Sequence, residues 1–482
     1  MKLGQWWDRM SVVALALGVS VFLWSVGDVA ADRYQGSEHY EGYGPIDESL
    51  RVNNPLIPEP VGPRLLRDNI PGVADEMQRW PTFFRDLELN LHPRSYYFNR
   101  ELPFRPSPPG GPDSFNQEAW ALGGWVGLKS GWLLDTFRAG ATGYTSQPAY
   151  APEDRDGTGL LAPGQNSIDV FGQAFGQLRY KDYALLTGGR FLVNQGYVNP
   201  QDNRMIPNTF EGATVTGTFA PVEYYVGYLT AIKQRNSDTF VSMAQAAGVG
   251  TGENRSMIVT TLNFDPSNGP NALASLKGLQ VYLGNYFVPD VFNTLYLNPE
   301  YRYTLTPEWH LRFGTQYFDQ RSVGSQLTGD FSTWHVGALA EVDWRGLAFL
   351  AMMAATGPNS GIRTPYGGWQ GYISLIETDF NLANEKAWEI GLTYDWGGKT
   401  FSAFRIPGLW TSLLYAEGFD IKASAQGIPV GKRRELDLFT VWRPPQVSGL
   451  QFRFLASGIQ QDPLSRLFYD FRIIVDYELR LF

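Results

Sequence analysis

Apolar and polar residues alternate along long stretches of this chain. Apolar side chains occupy every second position from Trp334 to Trp344, and His335, Glu341 and Asp343 fall between them. This two-residue period predicts a β-strand. At roughly 3.3 Å per residue and a tilt of roughly 40°, the two tryptophans lie about 25 Å apart along the axis of a barrel. That distance matches the apolar band of an outer-membrane barrel.

About eighteen such segments run from Leu87 to Leu481, which predicts an all-β fold. We expect a transmembrane antiparallel β-barrel of about 18 strands over residues 86–482. Its last segment, FRIIVDYELRLF, is expected to pair with the first strand and close the sheet. Tight and long connections alternate, as in outer-membrane barrels; the long ones lie near 144–166, 234–254, 320–332, 358–385 and 420–432.

The N-terminal part of the chain has a different character. Residues 1–31 carry Lys2 and Arg9 before a short apolar stretch and end on small residues, which predicts a secretory signal peptide cleaved before Asp32. A membrane anchor is the alternative, although the apolar stretch is short for a spanning helix. Residues 32–85 are rich in proline and predict a periplasmic segment or a plug. We therefore expect export through the Sec pathway to a Gram-negative outer membrane.

Composition supports a barrel and excludes other classes. The chain has 52 Gly, 15% aromatic residues, no Cys and a net charge of −9. Without cysteine, a disulfide scaffold and thiolate chemistry are excluded. The mean hydropathy is slightly negative, whereas a helical membrane protein would be far more apolar.

Enzymatic motifs are missing from the sequence. None of the four histidines (His39, His92, His310 and His335) stands in an H-E-x-x-H motif, and no G-x-S-x-G stretch occurs. We therefore expect no catalytic residue, no metal and no cofactor. A barrel that exports polysaccharide or scaffolds a surface complex remains an alternative to a channel for small solutes.

Strand alternation also predicts which charged side chains line the pore. An arginine that faces lipid near the midplane costs roughly 2–4 kcal/mol, so charged residues inside strands should face the lumen. Basic and acidic side chains on a narrow lumen would orient dipolar solutes and favour anions along the basic row. The alternative is that these charges only solvate the lumen and pair with one another. The strand candidates for the solute pathway are Arg94, Arg190, Arg302, Arg312, Arg453, Arg472, Glu341, Glu435 and Asp437.

The stretch at 194–208 is the candidate for a constriction. Its length, amide side chains and two prolines suit a loop folded into the pore, whereas an ordinary external loop is the alternative. The constriction candidates in it are Asn194, Tyr197, Asn199, Pro200 and Pro207. Asp202 and Arg204 in the same stretch are further candidates for the solute pathway.

Six short motifs appear in the order found in one family of channels. They are LHPRSYYFNR (91–100), RMIPNTFEG (204–212), TDFNLANEKAW (378–388), IPGLW (406–410), GLQFRF (449–454) and YDFRIIVDYEL (469–479). Together they resemble the OprD family of outer-membrane porins from about residue 85 onward. The resemblance implies an eighteen-stranded monomeric barrel, a loop folded inward, and diffusion of small solutes that often bear carboxylates.

The resemblance also implies a ladder of inward arginines, which is incomplete here. Arg453 and Arg472 match two of its positions, whereas Leu455, Leu414 and Gly391 stand where the family has arginines. Specificity therefore should not be copied from other members. The expected partners are outer-membrane lipid and lipopolysaccharide, the barrel-assembly machinery and a small solute, but no nucleic acid.

Overall fold

The structure is a computed structural model that describes residues 70, 72–103, 114–181, 183–266, 276–397, 405–422, 431–447, 449–464 and 466–482. The predicted signal peptide (1–31) and most of the predicted N-terminal segment (32–85) lie outside the described residues. Among the described helices, none has the length and apolarity that crossing a membrane requires.

The described strands form one antiparallel sheet that closes on itself. Eighteen long strands are the staves of the barrel, which confirms the predicted fold. Two short strands add to it, because β8 pairs only with β7 and β20 continues the edge of β19 along β1. The strands are β1 (Glu88–Pro103), β2 (Ser114–Lys129), β3 (Phe137–Tyr150), β4 (Ile168–Tyr180), β5 (Ala184–Phe191), β6 (Thr209–Phe219), β7 (Val222–Lys233), β8 (Phe240–Ser242), β9 (Met257–Phe264), β10 (Leu279–Val288), β11 (Phe292–Thr306), β12 (Trp309–Ser322), β13 (Ser332–Trp344), β14 (Leu347–Thr356), β15 (Lys386–Asp395), β16 (Leu409–Phe419), β17 (Arg433–Trp442), β18 (Leu450–Gln461), β19 (Phe468–Tyr477) and β20 (Leu479–Arg480).

The last long strand closes the barrel against the first, as predicted. β19 pairs with β1 from Arg94 opposite Asp476 to Glu101 opposite Tyr469. The amide of Leu481 donates to the carbonyl of Leu89 at 2.8 Å. The seam is therefore paired along most of its length, as a closed sheet in lipid requires.

Alternation along the strands separates a lipid face from a lumen face. Trp334 is 40% exposed on the outside of β13, whereas His335 beside it is 1% exposed inside. The rings of Trp309 and Trp344 stack on the outer face with centroids 6.0 Å apart. The alternation that predicted the strand β13 therefore also predicted which of its side chains face the lipid and which face the lumen.

Two long connections fold into the barrel. We call residues 192–208 the first inward loop and residues 357–385 the second inward loop. In the first, Tyr197 and Val198 are 1% and 0% exposed and pack in one cluster with lumen-facing strand residues such as Tyr286. The inward fold of this loop agrees with the expectation, but the second inward loop was expected among the external connections.

The second inward loop rests on an apolar lumen wall. Its residues Tyr372, Ile373 and Phe380 pack against inward side chains of β13 to β16, including Leu350 and Leu414. Leu414, where the family resemblance implied an arginine, contributes to this apolar docking face.

Two short helices precede the first strand, α1 (Val73–Met77) and α2 (Thr82–Arg85). A third, α3 (Met243–Ala246), follows β8. The segment of α2 contacts the tight connection between β2 and β3, because the carbonyl of Phe83 accepts from the amide of Gly131 at 3.0 Å and the hydroxyl of Thr82 donates to the carbonyl of Trp132 at 2.7 Å. The described end of the N-terminal segment therefore lies at the rim of the barrel where the connections are short.

Candidate functional site: the charged solute pathway

One face of β1 carries a column of lumen side chains. Arg94, Tyr96, Phe98 and Arg100 stand at alternate positions and point inward because the strand period is two. Arg94 lies nearer to the short connections and Arg100 nearer to the long loops. The column therefore follows the direction of transport through the pore.

In the part of this column nearer to the short connections, the charged side chains surround the Asp476 carboxylate. It accepts from Nε of Arg94 at 2.5 Å and from Nη2 of Arg453 at 2.7 Å. Arg94 also binds the Asp202 carboxylate with both terminal nitrogens, at 2.6 and 3.1 Å, and so ties the first inward loop to the wall. These arginines lie in the lumen, as predicted, and their charges are matched by carboxylates.

In the part of the column nearer to the long loops, the charged side chains surround Glu377 and Arg472. Arg472 is 2% exposed and forms a bidentate pair with Asp470, at 2.8 and 2.9 Å. Its Nη2 also lies 3.3 Å from the Glu377 carboxylate, which pairs with Arg100 as well. Glu377 belongs to the second inward loop, so this loop supplies charge to the pathway.

The ring of Phe98 lies among three guanidinium groups. The guanidinium carbons of Arg100, Arg204 and Arg472 lie 5.1, 4.9 and 4.4 Å from its centroid. A phenyl face attracts cations through its quadrupole, by about 0.5–2 kcal/mol for each contact. Phe98 therefore stabilises a group of like charges that would otherwise repel one another.

Two arginines on loops complete the group. Arg204 donates to the carbonyls of Thr158 and Asn203, both at 2.7 Å, and Arg235 donates to the side-chain oxygen of Asn203. Within the described part of the chain, neither has a carboxylate as ion-pair partner. Both line a cavity of about 240 Å³ together with Arg100, and none of its lining residues in the described ranges is acidic. The cavity therefore presents positive charge to a solute.

The electrostatics of the two loop arginines agree with this geometry. Burial, followed by the repulsion of Arg472, lowers the pKa of Arg204 to about 10. Burial and the repulsion of Arg204 and Arg472 lower the pKa of Arg235 as well. A guanidinium stays protonated in proteins, and an anion in the cavity would relieve the repulsion between these side chains.

The opposite wall has its own charged group, which is balanced. Arg302 and Arg312 face each other across β11 and β12, and Glu300 lies between them with its carboxylate 2.9 Å from Arg312 and 3.5 Å from Arg302. Glu341 adds a second carboxylate 3.9 Å from Arg312. These residues lie in the lumen as predicted, with their charges paired.

Arg190 is on the other face from the one expected. Leu185, Thr187 and Phe191 are the buried, inward residues of β5, and Arg190 shares the outer face with Leu186. Its Nε lies 2.9 Å from Glu211, and its guanidinium lies 4.3 Å from the ring of Phe240. The position is one residue from the end of β5, where an outward charge costs little, so the predicted pathway role of Arg190 is wrong.

Glu435 and Asp437 face inward but contact the second inward loop. Both are 0% exposed. Glu435 accepts from the amide of Glu377 at 2.9 Å, and Asp437 accepts from the amide of Ile376 at 2.8 Å. Their geometry holds the loop, whereas the sequence had suggested contact with the solute.

Two of the constriction candidates, Tyr197 and Asn199, join the two inward loops. The hydroxyl of Tyr197 contacts the carbonyl of Arg363, and the amide side chain of Asn199 exchanges hydrogen bonds with Gly368 at 2.9 and 3.0 Å. The carbonyl of Pro207 accepts from the Lys233 ammonium at 2.8 Å. The loop backbone also binds itself, with the carbonyl of Pro200 accepting from Asn208 at 2.6 Å. Asn194, near the start of the loop, is half-buried.

Arg100, Arg235 and Glu377 were not among the predicted site residues. Arg100 could have been found, because it continues the alternation of Arg94 and Phe98 along β1. Arg235 follows β7 by two residues, and Glu377 lies within a long loop. Alternation does not extend into loops, so no sequence signal placed these two side chains in the lumen.

Comparisons with known proteins agree with the fold and with the charged lumen. The description "outer membrane porin, OprD family" matches residues 81–481. Porin D of Pseudomonas aeruginosa is 25% identical over 357 residues, which cover 70% of this chain and 75% of that protein. Two P. aeruginosa structures cover 83% of this chain and all of their own: OccK9 (OpdG), with 22% identity and a TM-score of 0.70, and OpdK with vanillate, with 20% identity and a TM-score of 0.69.

OprD-family porins are outer-membrane channels of Gram-negative bacteria for small solutes. The family match covers nearly the whole described barrel, and the motifs that carried the resemblance lie on its strands and inward loops. The chain belongs to the OprD family of outer membrane porins.

Proposed function

We propose that this porin selects small solutes that carry a carboxylate, and that Arg100, Arg204 and Arg235 form the group that binds it. The observation that carries the proposal is the cavity that these three guanidiniums line, because none of its described lining residues is acidic. Arg100 pairs with Glu377 behind the cavity, whereas Arg204 and Arg235 have no ion-pair partner among the described residues. Guanidinium groups bind carboxylates through paired, charge-assisted hydrogen bonds. In a narrow pore the attraction is screened less than in bulk water.

The ion pairs between the cavity and the short connections favour release of the solute. A carboxylate that leaves Arg204 meets Arg472, Arg94 and Arg453 in turn, but each already has a carboxylate partner. Binding along that path is therefore weaker than in the cavity, and conduction needs sites that a solute can leave. The structure of OpdK with vanillate, an aromatic carboxylate, supports this substrate class.

We also propose how the protein reaches the outer membrane and how it acts there. The chain acts as a passive channel without catalysis, a metal or a cofactor. It is exported by the Sec pathway with residues 1–31 as a cleaved signal peptide, and the barrel-assembly machinery inserts it as a monomer among outer-membrane lipids and lipopolysaccharide. N-terminal sequencing of the protein from outer-membrane fractions tests the processing at Asp32.

Replacing Arg204 by glutamine should remove most of the preference for a carboxylate. Succinamate and succinamide share one skeleton and differ by one negative charge, so their ratio of permeabilities in liposome swelling reports on the carboxylate alone. We expect this ratio to fall about tenfold, because a hydrogen bond to a charged group contributes about 1.5–3 kcal/mol.

Arg321→Gln is the matched control. Arg321 is exposed at the end of β12 and pairs with Asp319 at 2.5 Å, away from the cavity. The same loss of charge there should leave the ratio unchanged. Equal permeability of succinamate and succinamide in the unmodified porin would contradict the proposed function.

Replacing Phe98 by leucine should weaken the same site without removing any charge. Leucine keeps the apolar packing but lacks the ring face that three guanidiniums approach. We expect the succinamate-to-succinamide ratio to fall about threefold, corresponding to roughly half a kcal/mol or more of lost cation–π energy. Phe98→Tyr, which retains the ring, should keep the ratio; a loss equal to that of leucine would assign Phe98 to packing alone.

A further inference from the structure

Two of the guanidiniums around the cavity have no ion-pair partner among the described residues. Arg100 pairs with Glu377, and Arg472 pairs bidentately with Asp470. Arg204 and Arg235 bind only carbonyl and amide oxygens within the described residues. Counting one charge for each of these six side chains, four positive charges face two negative charges. The surplus belongs to the two loop arginines.

We propose that the cavity is matched to a dianion, a short dicarboxylate, with one carboxylate for each of Arg204 and Arg235. This inference rests on the proposed function, because it names the class of carboxylate that the same site takes. A monocarboxylate would leave one guanidinium uncompensated in a site partly shielded from water. A dianion neutralises both, so it gains one more charge-assisted contact in the same cavity.

The geometry offers two separate points of attachment. Asn203 lies between the two arginines, with its carbonyl bound to Arg204 and its side-chain oxygen bound to Arg235. Within the described structure, Nη2 of Arg204 and both Nε and Nη2 of Arg235 have no hydrogen-bond acceptor. Each guanidinium therefore keeps donors for a ligand, and the shared asparagine fixes their relative position.

The rest of the lining indicates a polar ligand. Besides the arginines, the described residues that line the cavity are glycines, the proline Pro365 and polar side chains, and none of them is aromatic. The polar side chains are those of Thr158, Gln201, Asn208, Gln234, Asn236 and Thr364. Amides and hydroxyls hydrogen-bond to hydroxyl groups of a solute. We therefore expect hydroxylated dicarboxylates such as malate to bind as well as succinate, and better than aromatic acids.

The test uses three solutes with one skeleton and the intact porin in a planar bilayer. Succinate, succinamate and succinamide carry two, one and no negative charges at neutral pH, so binding differences report charge and little else. We expect succinate to reduce the single-channel current at about tenfold lower concentration than succinamate, as a second charge-assisted hydrogen bond predicts. Equal half-blocking concentrations of succinate and succinamate would overturn the dianion proposal.

The outcomes for the two proposals are distinct. If succinamate blocks better than succinamide but succinate gains nothing more, the carboxylate function stands and the dianion inference fails. If neither anion blocks better than succinamide, both fail.

A variant that removes the positive charge of Arg235 provides an independent test. Arg235→Gln should raise the half-blocking concentration of succinate to that of succinamate, while the value for succinamate itself changes less than about twofold because Arg204 still offers the donors of its Nη2. Arg321→Gln again serves as the matched control. If Arg235→Gln raises the half-blocking concentrations of succinate and succinamate by the same factor, Arg235 does not bind the second carboxylate and the proposal is overturned. Heat-modifiable mobility in gels checks that the variant is folded, and the comparison in the unmodified porin decides the question if it is not.

Discussion

A porin whose second inward loop is replaced by a short turn should assemble normally and conduct several times more current than the unmodified protein. The change substitutes an Asn-Gly turn for residues 359–382 and keeps the flanking strands β14 and β15. The expected increase is large because this loop fills much of the lumen beside β13 to β16. Single-channel conductance in a planar bilayer measures it directly.

The barrel should tolerate the replacement because the ends of the loop already meet. The amide of Thr356 donates to the carbonyl of Glu385 at 2.8 Å, and the amide of Asn384 donates to the carbonyl of Gly357 at 2.9 Å. A tight turn can therefore connect them without disturbing the register of β14 and β15. A shorter connection also lowers the entropic cost of loop closure.

The current should rise because the loop crosses the pore at several points. Its amides at Ile376 and Glu377 donate to Asp437 and Glu435 on β17. The amide of Tyr372 donates to the side-chain oxygen of Gln316 on β12 at 2.7 Å. Removing these contacts opens the space between the two walls. Glu377 leaves with the loop, so Arg100 loses its carboxylate and anion selectivity should increase as well.

A second connection provides the control. Residues 324–330 join β12 and β13 on the same side of the barrel, and the amide of Ser322 donates to the carbonyl of Phe331 at 2.9 Å, so that loop can also be shortened between paired ends. Its removal should change conductance little. If both shortened proteins conduct alike, the second inward loop does not define the ion path.

The strands and their faces were predictable because lipid imposes a strict pattern on them. Every lipid-facing position must be apolar and every backbone group paired, which forces the two-residue period seen around Trp334 and Ile473. The same rule failed at Arg190, since it assumes that a charge inside a strand lies at membrane depth. Next to the end of β5, Arg190 can point outward and pair with Glu211 under the ring of Phe240.

The inward course of the second loop was hidden by its composition. Residues 358–371 are rich in glycine and small polar residues and resemble a solvated external loop. A signal was nevertheless present in the wall, because Leu414 and Gly391 replace arginines of the family ladder and Met352 and Leu350 make the inner face of β14 apolar. An apolar face inside a wet lumen needs a cover, and the second inward loop supplies it.

The positions of two side chains that complete the candidate site, Arg235 and Glu377, could not be predicted from the sequence for a related reason. Arg235 and Glu377 reach the lumen through loops whose paths depend on contacts far apart in the chain, such as Asn203 with Arg235 and Glu377 with Arg472. Periodicity gives the direction of a side chain within a strand but carries no information about a loop. The strand arginines at 94, 312, 453 and 472 were therefore found, whereas the two loop residues were missed.

Arg453 and Arg472 both match the arginine ladder that the family resemblance implies, but the structure predicts different consequences of removing them. Replacing Arg472 by glutamine should lower the free energy of unfolding by about 3–5 kcal/mol, because it leaves a buried carboxylate without its partner. Asp470 has a side chain that is 0% exposed and relies on Arg472 for both of its charged contacts. Urea titration of the porin in detergent, followed by tryptophan fluorescence, measures the loss.

Replacing Arg453 by glutamine should lower stability by only about 1 kcal/mol, since its partner keeps another cation. Asp476 retains Arg94 at 2.5 Å, and the Arg453 side chain is 12% exposed to the lumen, so water can reach the site. The effect of this variant should appear in the reversal potential, which shifts toward cation selectivity.

A double variant separates loss of the ion pair from loss of packing at Arg472. Asp470→Asn with Arg472→Gln removes both charges, leaves amides that can hydrogen-bond to each other, and keeps Glu377 paired with Arg100. We expect it to recover most of the stability that Arg472→Gln alone loses, because the cost comes from an uncompensated buried charge. If the double variant is as unstable as Arg472→Gln, the arginine contributes mainly through its contacts with Phe98 and the carbonyl of Ile376, at 4.4 and 3.2 Å, and the ion pair with Asp470 contributes little.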